Sequence, residues 1–317
     1  MARVYPSDPG VAALRLFQSW FGGHYARSLA IDETDSDDGL YTASLTVGRR
    51  WTLSVTILNT LLAGASVQYE AARAAVERRL DAEDRSIVLW APRGAPLPAA
   101  EPGLSEVALA VERANTIEDG RLEVRRPIEL YLRRVDTTGS VVTVLGGLSA
   151  HWAQFTNRVP GSFQLNSGQL FRLPHSQEER DDLADRIVLA AGQPGVDDTE
   201  TIRTEDCWTA NDLGDGGSFV LGTPEPENDE QSAALRRTLR KLLKRAEPRL
   251  REGTFDARAL VVLGAATYAD EEKLTWALRG MDPSLYAGYD ILAVCADGVV
   301  KTLLQPGRST LPWDAPL

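Results

Sequence analysis

Tyr41-Thr42-Ala43-Ser44-Leu45-Thr46-Val47-Gly48-Arg49-Arg50-Trp51-Thr52-Leu53-Ser54-Val55-Thr56-Ile57 alternates apolar and hydroxyl residues on both sides of Gly48-Arg49. A period of two is the signature of a strand with one face in the core. Glycine supplies the positive φ that a tight hairpin turn demands, so the stretch predicts an antiparallel hairpin with a hydroxyl-bearing outer face. Everything else is placed relative to it.

Upstream, Val11, Leu14, Phe17, Trp20 and Phe21 recur at helical spacing and predict a short amphipathic helix over 11–21. Between helix and hairpin, Asp32-Glu33-Thr34-Asp35-Ser36-Asp37-Asp38-Gly39 reads as a solvated acidic turn. Hard cations want clustered carboxylates, but the ordered spacing and closing glutamate of an EF-hand are missing. Downstream come a helix over 66–80, a buried strand Ile87-Val88-Leu89-Trp90, a Pro/Gly-rich loop to Pro102 and a helix over 102–114. A second hairpin is predicted where Ile128, Leu130 and Leu132 alternate ahead of Asp136-Thr137-Thr138-Gly139 and Val141–Leu145 resumes. The polar stretch to Pro174 holds short strand-like pieces at 163–165 and 170–173.

A domain boundary is placed near Pro174. Residues 1–174 then form an N-terminal α+β domain of antiparallel hairpins and helices, and 175–317 a C-terminal α/β domain. Ser176-Gln177-Glu178-Glu179 has capping-box spacing and starts a helix that ends at Gly192. Residues 197–230 read as an acidic loop around one strand, Ser218–Leu221. A helix over 231–251, a strand at 259–264, a helix at 270–279 and a strand at 289–295 follow. That strand-helix-strand-helix-strand order is the rhythm of parallel crossovers, so the fold class is mixed α/β.

The helix over 231–251 carries the largest charge segregation in the chain. Arg236, Arg237, Arg240, Lys241, Lys244, Arg245, Arg249 and Arg251 face a single acid, Glu247. Leu235, Leu239, Leu242, Leu243, Ala246 and Leu250 form a stripe at intervals of three and four, so the charges project outward. Such a face suits nucleic-acid phosphates or an acidic protein partner, and Arg236, Arg237, Arg240, Lys241, Lys244 and Arg245 are the candidate binding residues. The preceding residues 197–230 hold eleven acids and only Arg203, so the helix is either a binding surface or a face neutralised within the fold.

The chain has 317 residues, 43% of them hydrophobic and 25% charged, which supports a packed core and excludes a disordered composition. A formal net charge of −11 opposes long-range attraction to polyphosphates or anionic lipid, so nucleic-acid contact must be local. No apolar run matches a signal peptide or a membrane span, which predicts a soluble, cytoplasmic protein. Cys207 and Cys295, the only cysteines, read as small buried hydrophobes. His24, His151 and His175 are isolated; Ser149-Ala150-His151 is not a nucleophile elbow, and Gly214-Asp215-Gly216-Gly217 lacks a phosphate loop's lysine. No catalytic residue, metal ligand or cofactor is assigned.

The segment from Ser218 to Lys301 resembles the back half of a PD-(D/E)XK nuclease domain, particularly of Shedu-like defence proteins. The resemblance rests on the helix with Arg236–Arg245, the strand Ala259–Gly264, the helix with Leu274 and Leu278, and Tyr289-Asp290-Ile291-Leu292. In such nucleases an acid-x-Lys pair on the strand before the helix holds the metal. Here that strand reads Ser218-Phe219-Val220-Leu221-Gly222, without acid or lysine, so the resemblance implies a binding-only domain. The expected function is a non-catalytic component of a nucleic-acid-handling or defence assembly. The alternatives are a metal-dependent nuclease or hydrolase drawing on Asp206, Asp212 or Asp215 and a lysine from elsewhere, and an interaction protein that touches no nucleic acid.

Overall fold

The computed structural model describes residues 8–314 apart from 38, 62–66, 83–85, 93, 118–119, 139, 147–157, 160, 193–194, 196–197, 215, 223–231, 251–252, 265–277, 279 and 305–309. The chain is mixed α and β, built on two sheets.

Strands β2 (Leu40–Val47) and β3 (Trp51–Asn59) form the hairpin at the heart of the first sheet, with Tyr41 opposite Ile57 and Val47 opposite Trp51. The turn is one residue longer than expected, and both Gly48 and Arg49 adopt positive φ. Strand β1 (Leu29–Asp37) pairs antiparallel with β2. The acidic run is therefore an edge strand and not a solvated turn, because its backbone completes the ladder of β2 while its side chains stay exposed. On the other side β3 runs parallel to β11 (Ala257–Leu263), which runs parallel to β12 (Ile291–Ala296). Strand β13 (Val299–Leu304) closes the sheet antiparallel to β12. At the end of β11, Gly264 sits at φ +84, and an added Cβ would fall inside the Leu61 side chain. Gly264→Ala is expected to cost about 2–3 kcal/mol from overpacking and left-handed strain, read as a lower urea midpoint.

All strands of the second sheet lie between residues 87 and 221, inside the connection from β3 to β11. They are β4 (Ile87–Trp90), β5 (Asn115–Thr116), β6 (Leu122–Asp136), β7 (Ser140–Gly146), β8 (Gly161–Ser167), β9 (Thr199–Asp212) and β10 (Phe219–Leu221). Their order is β10-β4-β9-β6-β8-β7, with β5 also on β6. The boundary expected at Pro174 falls inside this sheet, between β8 and β9, both of which pair with β6. The second expected hairpin is also corrected. Strand β8 takes the edge of β6, burying Phe163 and Leu165, and β7 is displaced to pair parallel with β8. Residues 199–212, expected as loop, form the long β9, since Ile202, Cys207, Trp208 and Ala210 are buried along it. The segment 170–173 is not a strand.

Of the two crossovers read from the sequence, β11 to β12 is parallel, although the helix expected at 270–279 lies mostly outside the described residues. The other passes between sheets: β10 pairs parallel with β4, while β11 belongs to the first sheet.

Helix α1 (Pro9–Tyr25) is capped by Asp8 and lies between the sheets. Its Leu14, Phe17 and Phe21 pack with Leu45, Val55 and Val261 of the first sheet and with Val88, Trp90 and Phe219 of the second. More than half of the helix circumference is buried because it meets a sheet on both sides. Helices α2 (Val67–Asp81) and α3 (Gly103–Glu112) cover the far face of β4 and β10, and α4 (Gln177–Ala191) covers part of β6, β8 and β9. Ser176 caps α4 as expected, but Glu179 binds Arg125 instead of closing the capping box. Helix α5 (Ser232–Leu250) packs on the face of the first sheet opposite α1, through Leu239, Leu242, Leu243 and Ala246 against Leu40, Leu58, Leu260 and Val262. The side chains of Leu235 and Leu250 lie outside the described residues.

The turn between β12 and β13, Asp297-Gly298, locks the sheets together. Arg121 donates to the Asp297 carbonyl at 2.7 Å and to its carboxylate at 3.1 Å. Arg172 donates to the same carboxylate at 2.6 Å, and the Thr209 hydroxyl joins it. Asn211 accepts from Trp90 Nε1 and donates to the Gly298 carbonyl.

Candidate functional site

The cations of α5 divide into two sets. Arg240, Lys241 and Lys244 are exposed and make no ion pair among the described residues; Arg237 is exposed beside them. These positions rise along one side of the helix at intervals of three and four, about one turn of 5.4 Å apart. The second set faces β1. Arg245 donates to Asp37 at 2.8 Å, and Arg249 meets Asp35 at 3.0 Å and the Thr42 hydroxyl at 3.1 Å. Arg236 belongs to neither, since its guanidinium lies against Gly280.

The charge that neutralises part of the helix therefore comes from β1. None of the described acids between 197 and 222 pairs with α5, because β9 holds them in the other sheet: Glu205 meets Arg125, Asp206 is buried and Asp212 caps Gly214. The acids Glu225–Glu230 lie outside the described residues. Both ion pairs to β1 are partly open to water, so each is worth at most about 1 kcal/mol and steers α5 more than it anchors it.

A local irregularity aims these carboxylates. The β1–β2 register shifts between Ile31 and Glu33, making Asp32 an extra residue. Such a bulge breaks the alternation, and Asp32 accepts from Thr46 at 2.8 Å on the same face where Asp35 and Asp37 meet α5. Beside Arg249 the face opens into a cleft of about 290 Å³. The hydroxyls of Thr42, Ser44, Ser54 and Thr56 line it, Glu33, Asp35 and Arg249 flank it, and Phe255 forms one wall. Arg258 lies 5.8 Å from the centre of the Phe255 ring. Behind the cleft, Thr56 and Tyr289 are buried, and burial pushes the Tyr289 phenol up to about 12, with the Thr56 hydroxyl beside it opposing the shift.

The other residues weighed from the sequence do not converge. Asp206 accepts from the amides of Phe171 and Arg172 and from Trp208 Nε1, partners that tie β9 to the segment before α4. Asp215 and Ser149-Ala150-His151 lie outside the described residues. His24 stacks on Trp20, and His175 is exposed on the approach to α4. Cys207 and Cys295 are buried, and burial pushes the Cys295 thiol up to about 12. Among the described residues no three His, Cys, Asp or Glu side chains are grouped to hold a metal ion, and no helix is long and apolar enough to cross a membrane.

The cleft was invisible to sequence reasoning. Its floor is the outer hydroxyl face of the hairpin, which period two assigns to solvent, and Arg249 reaches it only by long-range packing. The one available signal was the run of hydroxyls at i, i+2 on two adjacent strands, without the charged residues usual on an exposed face. Comparison of the chain with protein-family models, curated proteins and solved structures finds no match.

Proposed function

We propose that this protein is a non-catalytic component of a nucleic-acid-handling assembly, holding a polyanionic strand on the outer face of α5. One observation carries the reading: Arg240, Lys241 and Lys244 stay exposed after the nearest acids have taken Arg245 and Arg249. A packed helix that presents cations at successive turns offers a strand contacts near the spacing of its phosphates. Buried Leu239, Leu242 and Leu243 hold that helix rigid against the first sheet.

Two strands near α5 lack the acid-x-Lys pair. An acid-x-Lys pair needs two charged side chains at i, i+2 on one strand face. The strand before α5, β10, offers Phe219-Val220-Leu221, and the cleft face of β3 beside α5 offers Ser54 and Thr56. Hydroxyls hold a sugar or a phosphate oxygen but supply neither the charge for a metal nor a general base.

The test is fluorescence anisotropy with labelled single-stranded oligonucleotides across a salt series. Binding at low salt should weaken steeply with ionic strength, with a log–log slope of about −2 if some three phosphates are contacted, at about 0.7 per phosphate for single strands. The triple variant Arg240→Glu, Lys241→Glu, Lys244→Glu should lose binding by at least about a hundredfold at low salt while keeping the wild-type unfolding midpoint, since exposed surface positions contribute little to stability. Unchanged affinity in that variant, or no binding at any salt, would sink the proposal. Arg236 is left out of the variant because it packs on Gly280.

A further inference from the structure

We infer that the cleft beside Arg249 receives a ribose of the bound strand, so that the protein prefers RNA to DNA; this rests on the reading of α5 as a strand-binding face. Arg249 is already shared between Asp35 and Thr42, and Glu33 and Asp35 give the cleft a net negative lining. A phosphate would face two carboxylates against one engaged arginine, and like charge at short range in a partly enclosed site is unfavourable. The phosphates therefore belong on the exposed side of α5.

A neutral polyhydroxylated ring meets the opposite conditions. The Glu33 carboxylate accepts from a sugar hydroxyl. The Ser44, Ser54 and Thr42 hydroxyls donate or accept as the partner requires, and Phe255 offers an apolar wall for the C–H face of the ring. Carboxylate recognition of a ribose 2′-hydroxyl is a recurrent device in dinucleotide sites, and the 2′-hydroxyl is the group that tells RNA from DNA. Position sets the span: Lys244 and Arg249 are about 7.5 Å apart along the axis of α5 and about 140° apart around it, so a strand held at Lys244 reaches the cleft only a few nucleotides further on, after crossing the helix.

The experiment compares single strands of one sequence, about a dozen nucleotides long, made as DNA, RNA and 2′-O-methyl RNA. Affinities are read by anisotropy with the full chain at low salt. A hydrogen bond from a 2′-hydroxyl to an ionised carboxylate predicts that RNA binds at least about tenfold more tightly than DNA. The 2′-O-methyl strand keeps the sugar geometry of RNA and lacks the donor, so it should bind like DNA. Glu33→Gln and Ser54→Ala should bring the RNA-to-DNA ratio toward one. Equal affinity for RNA and DNA overturns this inference and leaves the α5 reading standing. So does a 2′-O-methyl strand that binds like RNA, or a ratio that neither variant moves. Absence of binding by all three strands overturns both.

Discussion

Asp297→Ala is expected to lower the free energy of unfolding by about 3–4 kcal/mol, read as a fall in the urea midpoint with the slope unchanged. The carboxylate stands between Arg121 and Arg172, whose side chains are only 12% and 22% exposed, and it also accepts from Thr209. Removing it leaves two poorly hydrated guanidinium groups without their shared anion, which is the costly way to break such a cluster. Because Asp297 itself is 28% exposed, the loss is set toward the low end of that for a fully buried pair. The backbone adds a second cost. Asp297 sits at φ 50, a conformation that aspartate and asparagine tolerate better than alanine. Asp297→Asn should thus retain the turn and lose about half as much, and Asp297→Gly should relieve the backbone but not the arginines. An alanine variant within about 0.5 kcal/mol of wild type would show that the sheets are held by the α1 core alone.

The local elements were legible because their causes are local. The hairpin, α1, α2, α3 and α4 declare themselves by period and cap, and Ser176 caps α4 where the sequence places it. What the sequence did not disclose is pairing between distant segments. Strand β3 meets β11 across some 200 residues of intervening chain, and no local pattern records that Ala257 will lie opposite Leu53. The same blindness explains the misplaced boundary. A chain that leaves a sheet, builds a second one and returns shows no more composition change at the crossing points than at Pro174. It also explains β7, because alternation predicts a strand but not which neighbour it takes.

Charge was the more misleading signal. The acids of 197–230 sit next to the basic helix in sequence, and proximity suggested that they neutralise it; yet β9 carries most of the described ones into the other sheet. The acids that do meet α5, Asp35 and Asp37, lie some 210 residues away and looked like a turn. High polarity normally argues for a loop, but an edge strand needs only one paired side. Exposed carboxylates on its free edge also discourage pairing with another chain. Arg240, Lys241 and Lys244 stand out in the sequence as cations of one helix, whereas the cleft beside that helix has no such pattern.

Asp206 gives the second large effect, and one that separates a structural carboxylate from a catalytic one. Asp206→Ala is expected to cost about 4 kcal/mol, because the side chain is 1% exposed and its loss orphans three donors: the amides of Phe171 and Arg172 and the indole of Trp208. Arg126, 4.4 Å from the centre of the Trp208 ring, loses the carboxylate that most favours its charge as well. Burial raises the Asp206 carboxyl above its ordinary range, with the N–H donors opposing that shift. A carboxyl raised in the fold binds its proton more tightly there than in the unfolded chain, so its contribution is most favourable below the unfolded pKa and declines as pH rises toward the folded one. The advantage of wild type over the non-titrating Asp206→Asn should accordingly be larger near pH 4 than near pH 7, measured by urea denaturation at both. An advantage that grows with pH would mean that the three donors outweigh burial and hold the group ionised. In either case both carboxylate oxygens are engaged in joining β9 to the 171–172 segment and the Trp208 indole.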